Sequence, residues 1–255
     1  TVDLMNRFEV MRGLLADSKY FKLVCGAGNE NAAEVRRLAL VYTLAGANGF
    51  DVSAKPDVVK ACGEGIDLAY ANADHFGVTV PVRPFITVSV GMPGDHHVRK
   101  AFIIDDCVSC DLCIPVCPTD AIPESLEIIP ELCIGCGNCE AACPPKVAAV
   151  RYRHNGKELA ELLPRCIEAG AENIELHAAV PGDDAILEEW AMVDAAQPDN
   201  YISMCLDRYH LSNVQLIERI RAAHEVAGER TIIQADGVPM SGGSDDHNTT
   251  LQAVA

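Results

Sequence analysis

Basic residues are in short supply in this sequence: 20 lysines and arginines stand against 37 aspartates and glutamates, for a formal net charge of −17. Nucleic-acid binders carry a basic footprint, so that class is excluded. The acidic balance suits solubility and a basic partner face. Aromatics are also scarce, at 5% with one tryptophan, so the core has to be aliphatic. No apolar run reaches the ~18 residues of a membrane span. Thr1 to Arg12 show no secretory-signal pattern. The first residue is not Met, which points to processing or to a start within a longer chain. What remains is 255 residues with ordinary hydrophobic content, 49%, enough for one large domain or two smaller ones.

Cysteine, by contrast, is abundant. Twelve cysteines without a secretory signal indicate a reducing compartment, the cytoplasm or a chloroplast stroma, where thiolates remain available to metal. Eight of them form one pattern twice: Cys107-Val-Ser-Cys110-Asp-Leu-Cys113-Ile-Pro-Val-Cys117-Pro118, then Cys133-Ile-Gly-Cys136-Gly-Asn-Cys139-Glu-Ala-Ala-Cys143-Pro144. This C-x2-C-x2-C-x3-C-P spacing is that of a bacterial-type two-cluster ferredoxin. Three thiolates on a tight loop reach three irons of one cubane. The fourth, after a longer gap, points to the other cluster. Cys107, Cys110, Cys113 and Cys143 are therefore expected on one 4Fe-4S cluster, and Cys133, Cys136, Cys139 and Cys117 on a second. Zinc takes its ligands as separated pairs and fits this spacing poorly, as does a disulfide framework. The spacer segments Ala121 to Pro123 and Leu126 to Pro130 read as short strands or turns that bring apolar cover.

Outside this stretch, strands and helices alternate. Strands are expected at Phe21 to Cys25, Phe50 to Ala54, Pro84 to Gly91, Ile174 to His177, Tyr201 to Asp207 and Thr231 to Gly237. Asn31 and Glu34 have capping-box spacing, as do Ser212 and Gln215. The first helix presents Val35, Leu38, Ala39 and Tyr42 on one face, and Pro56 opens the next. Helices follow over Lys157 to Ala169, with Leu159, Leu162, Leu163 and Cys166 aligned, and over Asp184 to Ala195. The helix after Ser212 is expected to bury Leu216, Ile217, Ile220 and Ala223, and Leu251 to Ala255 read as a helix cut short.

Such alternation argues for a parallel sheet. Ala45 to Ala54 is echoed by Ala169 to Ala178, with Gly46 matched by Gly170 and Asp51 by Glu175. Without an insert of roughly 50 residues, the spacing is about two β/α units of a barrel. The expected fold is α/β with TIM-barrel-like (β/α) repeats, six of eight units, incomplete in this chain, over residues 1–100 and 151–255. A two-cluster ferredoxin-like α+β module is inserted at 101–150. A flavodoxin-like open sheet is the competing architecture.

Because the insert follows a strand, a barrel would place the clusters over its mouth, where sites are built. Asp236, Gly242, Gly243, Thr249 and Thr250 form a candidate ligand-binding stretch, with glycine N–H groups and hydroxyls for an anion, or only a tight turn and helix cap. Flavin or quinone is the candidate further cofactor. Cys62 and Cys166 read as core residues, Cys25 and Cys205 as strand-end residues near the mouth. His96 and His97 form a metal or proton site, or an exposed loop. Asp51 and Glu175 are acid–base groups or partners of a lysine such as Lys22.

Phe21-Lys-Leu-Val-Cys25-Gly26, Tyr42-Thr-Leu-Ala-Gly-Ala47, Phe50-Asp-Val-Ser-Ala54, the two cluster runs and Gln234-Ala-Asp-Gly-Val-Pro-Met-Ser-Gly-Gly243 together resemble the light-dependent period protein family, over nearly the whole chain. These are iron–sulphur, redox-responsive input proteins of the cyanobacterial circadian clock. Family chains continue past the end of this one, and their first cluster run is often less regular. The resemblance implies two 4Fe-4S clusters on the eight cysteines, sensing of redox state, a link to the quinone pool, and clock or signalling partners. Three functions follow: a redox sensor or electron carrier with a redox partner protein, an oxidoreductase delivering electrons to a substrate or flavin at the mouth, or an electron-transfer component of a larger complex.

Overall fold

The computed structural model describes residues 6–91, 99–153, 159–179, 182–208, 211–236 and 251. The elements run α1 (Arg7–Ala16), β1 (Lys22–Val24), α2 (Ala32–Leu44), β2 (Gly49–Ser53), α3 (Pro56–Asn72), β3 (Phe85–Gly91), β4 (Lys100–Ile103), α4 (Asn138–Ala142), β5 (Val150–Arg153), α5 (Leu159–Glu168), β6 (Asn173–His177), α6 (Asp183–Ala196), β7 (Ile202–Asp207), α7 (Asn213–Ala227) and β8 (Thr231–Asp236).

Six strands form one parallel sheet in the order β1-β2-β3-β6-β7-β8. A doubly wound sheet reverses its strand order at a switch point. Here each new strand is added on the same side, so the open flavodoxin-like alternative falls. The sheet also curls. Six flat strands at ~4.8 Å spacing would hold the first and last ~24 Å apart. Instead, Lys22 Nζ of β1 donates to Gln234 Oε1 of β8 at 2.8 Å. The result is mixed α/β, with a parallel half-barrel sheet.

Alternation divides the strand residues between two faces. Phe50, Val52, Val88, Val90, Ile174, Leu176, Ile202 and Met204 pack under the helices in the main core. On the concave face lie Asp51, Ser53, Thr87, Ser89, Glu175, His177, Ser203, Cys205 and Asp207, all buried. A TIM-barrel interior is ordinarily filled by branched aliphatics, so a polar lining marks this interior for something other than packing.

The internal echo is a structural repeat of the helix-to-strand turn. Ala47 N donates to Tyr42 O at 2.9 Å and Ala171 N to Cys166 O at 3.0 Å, the same bond in each copy. Gly46 and Gly170 both take positive φ, 97° and 116°, as a left-handed helix terminus requires. The Asn31 side chain caps α2 by accepting from Glu34 N. Glu34 does not return the bond, because its carboxylate takes Asn29 Nδ2 at 3.2 Å. Ser212 and Gln215 do form a full capping box.

Two corrections concern helices. Ile217 of α7 is 49% exposed rather than buried, and Arg219 is buried in its stead. The Arg219 guanidinium sets the helix rotation by reaching Asp183 Oδ1 at 2.6 Å. Helix α1 was not anticipated, since its apolar spacing is weak. It is capped by the Asn6 side chain and closes the N-terminal end of the sheet. There Phe8 stacks on Tyr201 at 4.4 Å, and Arg7 lies 3.7 Å over Phe85 while pairing with Glu172 at 2.6 Å.

The cysteine-rich segment lies between β4 and β5, which pair antiparallel from Lys100↔Arg153 to Ile103↔Val150. Neither strand stood out in the sequence. The spacer segments Ala121 to Pro123 and Leu126 to Pro130 are neither strands nor turns over most of their length but irregular chain flanking a turn at Glu124 and Ser125, and Ala121, Ile122 and Val150 form a small core with the cysteines.

Candidate metal centre and the cavity beneath it

The eight cysteines are gathered into two bays. One is lined by Cys107, Cys110, Cys113 and Cys143, with Ile103, Leu126, Val147 and Val150 as walls. The other is lined by Cys117, Cys133, Cys136 and Cys139, with Ala121, Ile122, Ile128 and Ile134. Each holds about 330 Å³ of empty space, part of it open to solvent. Four thiols and a dry apolar wall in each bay fit a cubane cluster, which needs soft ligands and excluded water. Backbone amides point at the sulphurs: Ala121 N at Cys117 Sγ (3.2 Å), Ala149 N at Cys143 Sγ (3.3 Å), Ala101 N at Cys133 Sγ (3.4 Å) and Ser109 N at Cys107 Sγ (3.4 Å). Such N–H donors stabilise sulphur-borne negative charge and raise cluster potential. The loops reach this geometry through residues in left-handed conformation, Ser109 and Asp111 in the first run and Gly135 and Gly137 in the second. A Cβ on Gly137 would sit 2.8 Å from Arg99 Nη2, so the glycine serves both the turn and the close approach.

Lys100 joins this region to the sheet. Its ammonium donates to Pro130 O at 2.8 Å in the spacer, to Cys133 O at 2.6 Å in the second run, and to Gly28 O in the loop after β1. Glu30 lies 3.6 Å away. Burial pulls the Lys100 pKa down, with Glu30 and Cys133 opposing. The second run is thereby held over the C-terminal ends of the strands.

Between them is a cavity of about 1750 Å³ of empty space, part of it open to solvent. Its roof is Pro118, Thr119, Leu132, Ile134 and Cys136; its floor is Cys25, Asp51, His177, Gln234 and Asp236. Below the floor the polar groups interlock. Lys22 Nζ is 2.5 Å from Glu175 Oε2 and 3.7 Å from Asp51 Oδ2. Ser203 Oγ donates to Glu175 Oε2 at 3.0 Å, and Ser89 Oγ to Asp51. Burial and then the Glu175 charge push the Asp51 carboxyl well above the carboxylate range. Burial also acts to raise Glu175, but Lys22 and His177 outweigh it and hold it below its ordinary value. Burial pushes the Cys25 thiol up to about 12, so it is no ready nucleophile.

Residues 125–171 match the family model of a 4Fe-4S dicluster domain and residues 101–122 that of a 4Fe-4S binding domain. Over 226 residues, 88% of this chain, the sequence is 31% identical to Light dependent period A of Synechococcus elongatus.

The chain is LdpA-like over most of its length.

It spans 62% of that relative's length. Like other iron–sulphur proteins, this LdpA-like chain has 4Fe-4S clusters as cofactors. Shorter stretches are similar to a Ferredoxin:CoB-CoM heterodisulfide reductase polypeptide of Methanosarcina mazei, 30% identical over 34% of this chain and 14% of the relative. Protein NrfC of Escherichia coli is 33% identical over 32% of this chain and 39% of the relative. A sialic acid aldolase mutant structure from Ruminococcus gnavus covers 84% of this chain and 59% of that one, at TM-score 0.37 and 11% identity. Strand order, not this likeness, defines the architecture.

Of the candidate residues, Asp236 lines the cavity. Gly242, Gly243, Thr249, Thr250, His96 and His97 lie outside the described residues. Cys62 and Cys166 are fully buried. The sequence reading missed Lys100, Ser89, Ser203 and Gln234. The available signal was polar residues at every second position of strands otherwise buried on both faces. Among the described residues no helix is long and apolar enough to cross a membrane.

Proposed function

We propose that this iron–sulphur protein holds two 4Fe-4S clusters and acts as an electron carrier or redox sensor that reports cellular redox state to partner proteins. The observation that carries the reading is the sorting of eight thiols into two bays, each taking three cysteines from one run and the fourth from the other. On this reading Cys107, Cys110, Cys113 and Cys143 hold one cluster, and Cys133, Cys136, Cys139 and Cys117 the other. The clusters supply one-electron transfer. The chain supplies dry walls, N–H donors to sulphur, and a Lys100 charge beside the second bay. Cys110 is exposed, so the first bay is the natural entry for a partner's electron. The second bay faces inward. We read residues 101–150 as the cluster module and residues 1–100 and 151–255 as most of a TIM-type barrel. Similarity to Light dependent period A favours a link to light-dependent timing through clock or signalling partners and the quinone pool, in the cytoplasm or stroma. The heterodisulfide reductase relative favours a place in a larger complex as the further arrangement.

The cavity between Cys136 and the Asp51 layer supports a second reading, an oxidoreductase that passes electrons from the second cluster to a substrate, flavin or quinone there. An anaerobic redox titration followed by EPR and optical absorption decides between them. About eight irons per chain are expected from two clusters. Cluster features alone favour the carrier or sensor, and an added flavin-like band favours the enzyme. Fewer than two clusters in fully loaded protein overturns the proposal.

A further inference from the structure

The concave face holds a donor set that the cluster chemistry does not use. A carboxylate oxygen of Glu175, a ring nitrogen of His177 and the Cys205 sulphur all lie within 4.8 Å of one another, and all three residues are buried. They come from adjacent strands in register, His177 being paired with Cys205 across β6 and β7. Glu175 is oriented for the role. Its Oε2 accepts from Lys22 and Ser203, at 2.5 and 3.0 Å. Its Oε1 is buried, takes no N–H donor among the described residues, and stands 3.6 Å from His177 Nε2. Gln234 is oriented too. Its Oε1 takes a Lys22 proton, and its Nε2 points at Cys205 Sγ from 3.7 Å.

We propose that Glu175, His177 and Cys205 bind one divalent cation of the zinc class, with a fourth coordination position open to the cavity beneath the second cluster bay. Three lines converge. The donors are one oxygen, one nitrogen and one sulphur, a mixture that suits a borderline-soft ion. Carboxylate and thiolate supply two negative charges to a doubly charged ion, with the imidazole as a neutral ligand. Finally, bonds to the back of Glu175 and to the sulphur of Cys205 are the outer contacts that orient metal ligands. Three protein ligands with an open position is the arrangement of a catalytic rather than a structural site. His177, Gln234 and Asp236 line the cavity at that point, so the ligand there would be water or an oxygen of a small anionic or carbonyl molecule. This inference is independent of which reading of the clusters holds.

The test uses the anaerobically purified protein with its clusters in place. Iron and sulphide are counted, zinc is added at one equivalent, and after desalting the retained zinc is measured and its X-ray absorption fine structure recorded. About one zinc per chain is expected, with a single sulphur near ~2.3 Å and nitrogen or oxygen near ~2.0–2.1 Å. His177→Ala, the milder His177→Gln and Cys205→Ser should each weaken retention at least tenfold while iron and sulphide are unchanged. That unchanged count shows that the variants have folded. Absence of retained zinc with full iron overturns the metal site and leaves the cluster proposal intact. A four-sulphur shell overturns it as well, since the zinc would then sit in a cysteine run. Variants that retain zinc like the parent also overturn it. A low iron count with zinc on one sulphur does the reverse, sinking the cluster assignment and sparing the site.

Discussion

Lys22 Nζ donates to Glu175 Oε2 at 2.5 Å, joining the first and fourth strands of the sheet across its concave face, 153 residues apart in the chain. Burial acts to lower the lysine's pKa, but Asp51 and Glu175 outweigh it and hold it raised. Three ionisable groups therefore share one buried layer, in which Lys22 and the Glu175 carboxylate compensate each other.

Lys22→Met should destabilise the fold by about 3–5 kcal/mol near neutral pH, because the Glu175 charge is left buried and unpaired. Thermal unfolding under anaerobic conditions measures it. Adding Glu175→Gln should recover a large part of the loss, and a double variant as unstable as the single would show that the pair is not coupled.

The crossed cysteines give an asymmetric expectation. Cys117→Ala, in the first run, should impair the same cluster as Cys133→Ala, in the second. Each variant should fall from about eight to about four irons and leave the same residual EPR signal. Cys143→Ala should instead match Cys107→Ala. Residual signals that sort by run would refute the crossing.

Lys100→Met removes the tie between the second run and the loop after β1. Hydrogen exchange should speed up in residues 26–31 and 131–134. The potential of one cluster should fall, since a positive charge near it favours the reduced state. Equal shifts in both clusters would argue against a local action.

Gly65 lets α3 lie against α2. A Cβ there would stand 2.3 Å from Arg36 O and 2.8 Å from the Ala39 methyl. Alanine gains about 1 kcal/mol of helix propensity, but the helices must separate, so Gly65→Ala should cost about 1–3 kcal/mol overall. Denaturant unfolding reads the sign.

Glu189 of α6 is 8% exposed with Oε2 unbonded, and burial pushes its carboxyl up to about 7. The unfolded value is about 4.3. Between these values the folded protein holds a proton that the unfolded chain releases. Its contribution is complete below pH ~4.3 and is lost as pH rises through ~7. Glu189→Gln should remove this slope and stabilise the protein at pH 8 by about 2 kcal/mol, allowing for solvent reaching the helix surface. A melting-temperature profile against pH that stays parallel to the parent's would refute it.

The two cysteine runs, the alternation of strand and helix, and the Gly46 and Gly170 turns were legible in the sequence because each rests on local spacing: a tight loop presents three thiolates at fixed offsets, and a helix ends where glycine takes positive φ. Strand order was not local, and only the fold decided that the sheet adds strands on one side and curls until Lys22 meets Gln234. Helix α1 was hidden because its apolar residues pack on Phe85 and Tyr201, far along the chain. The site follows the same division. That Asp51 and Glu175 were unusual in buried strands could be read directly. Lys22 as a candidate partner for them could be read as well; that it serves both at once, that His177 and Cys205 stand beside them, and that Lys100 holds the second run above them depended on pairing between strands. Long-range register is set by packing of the whole sheet, which no short window of sequence contains.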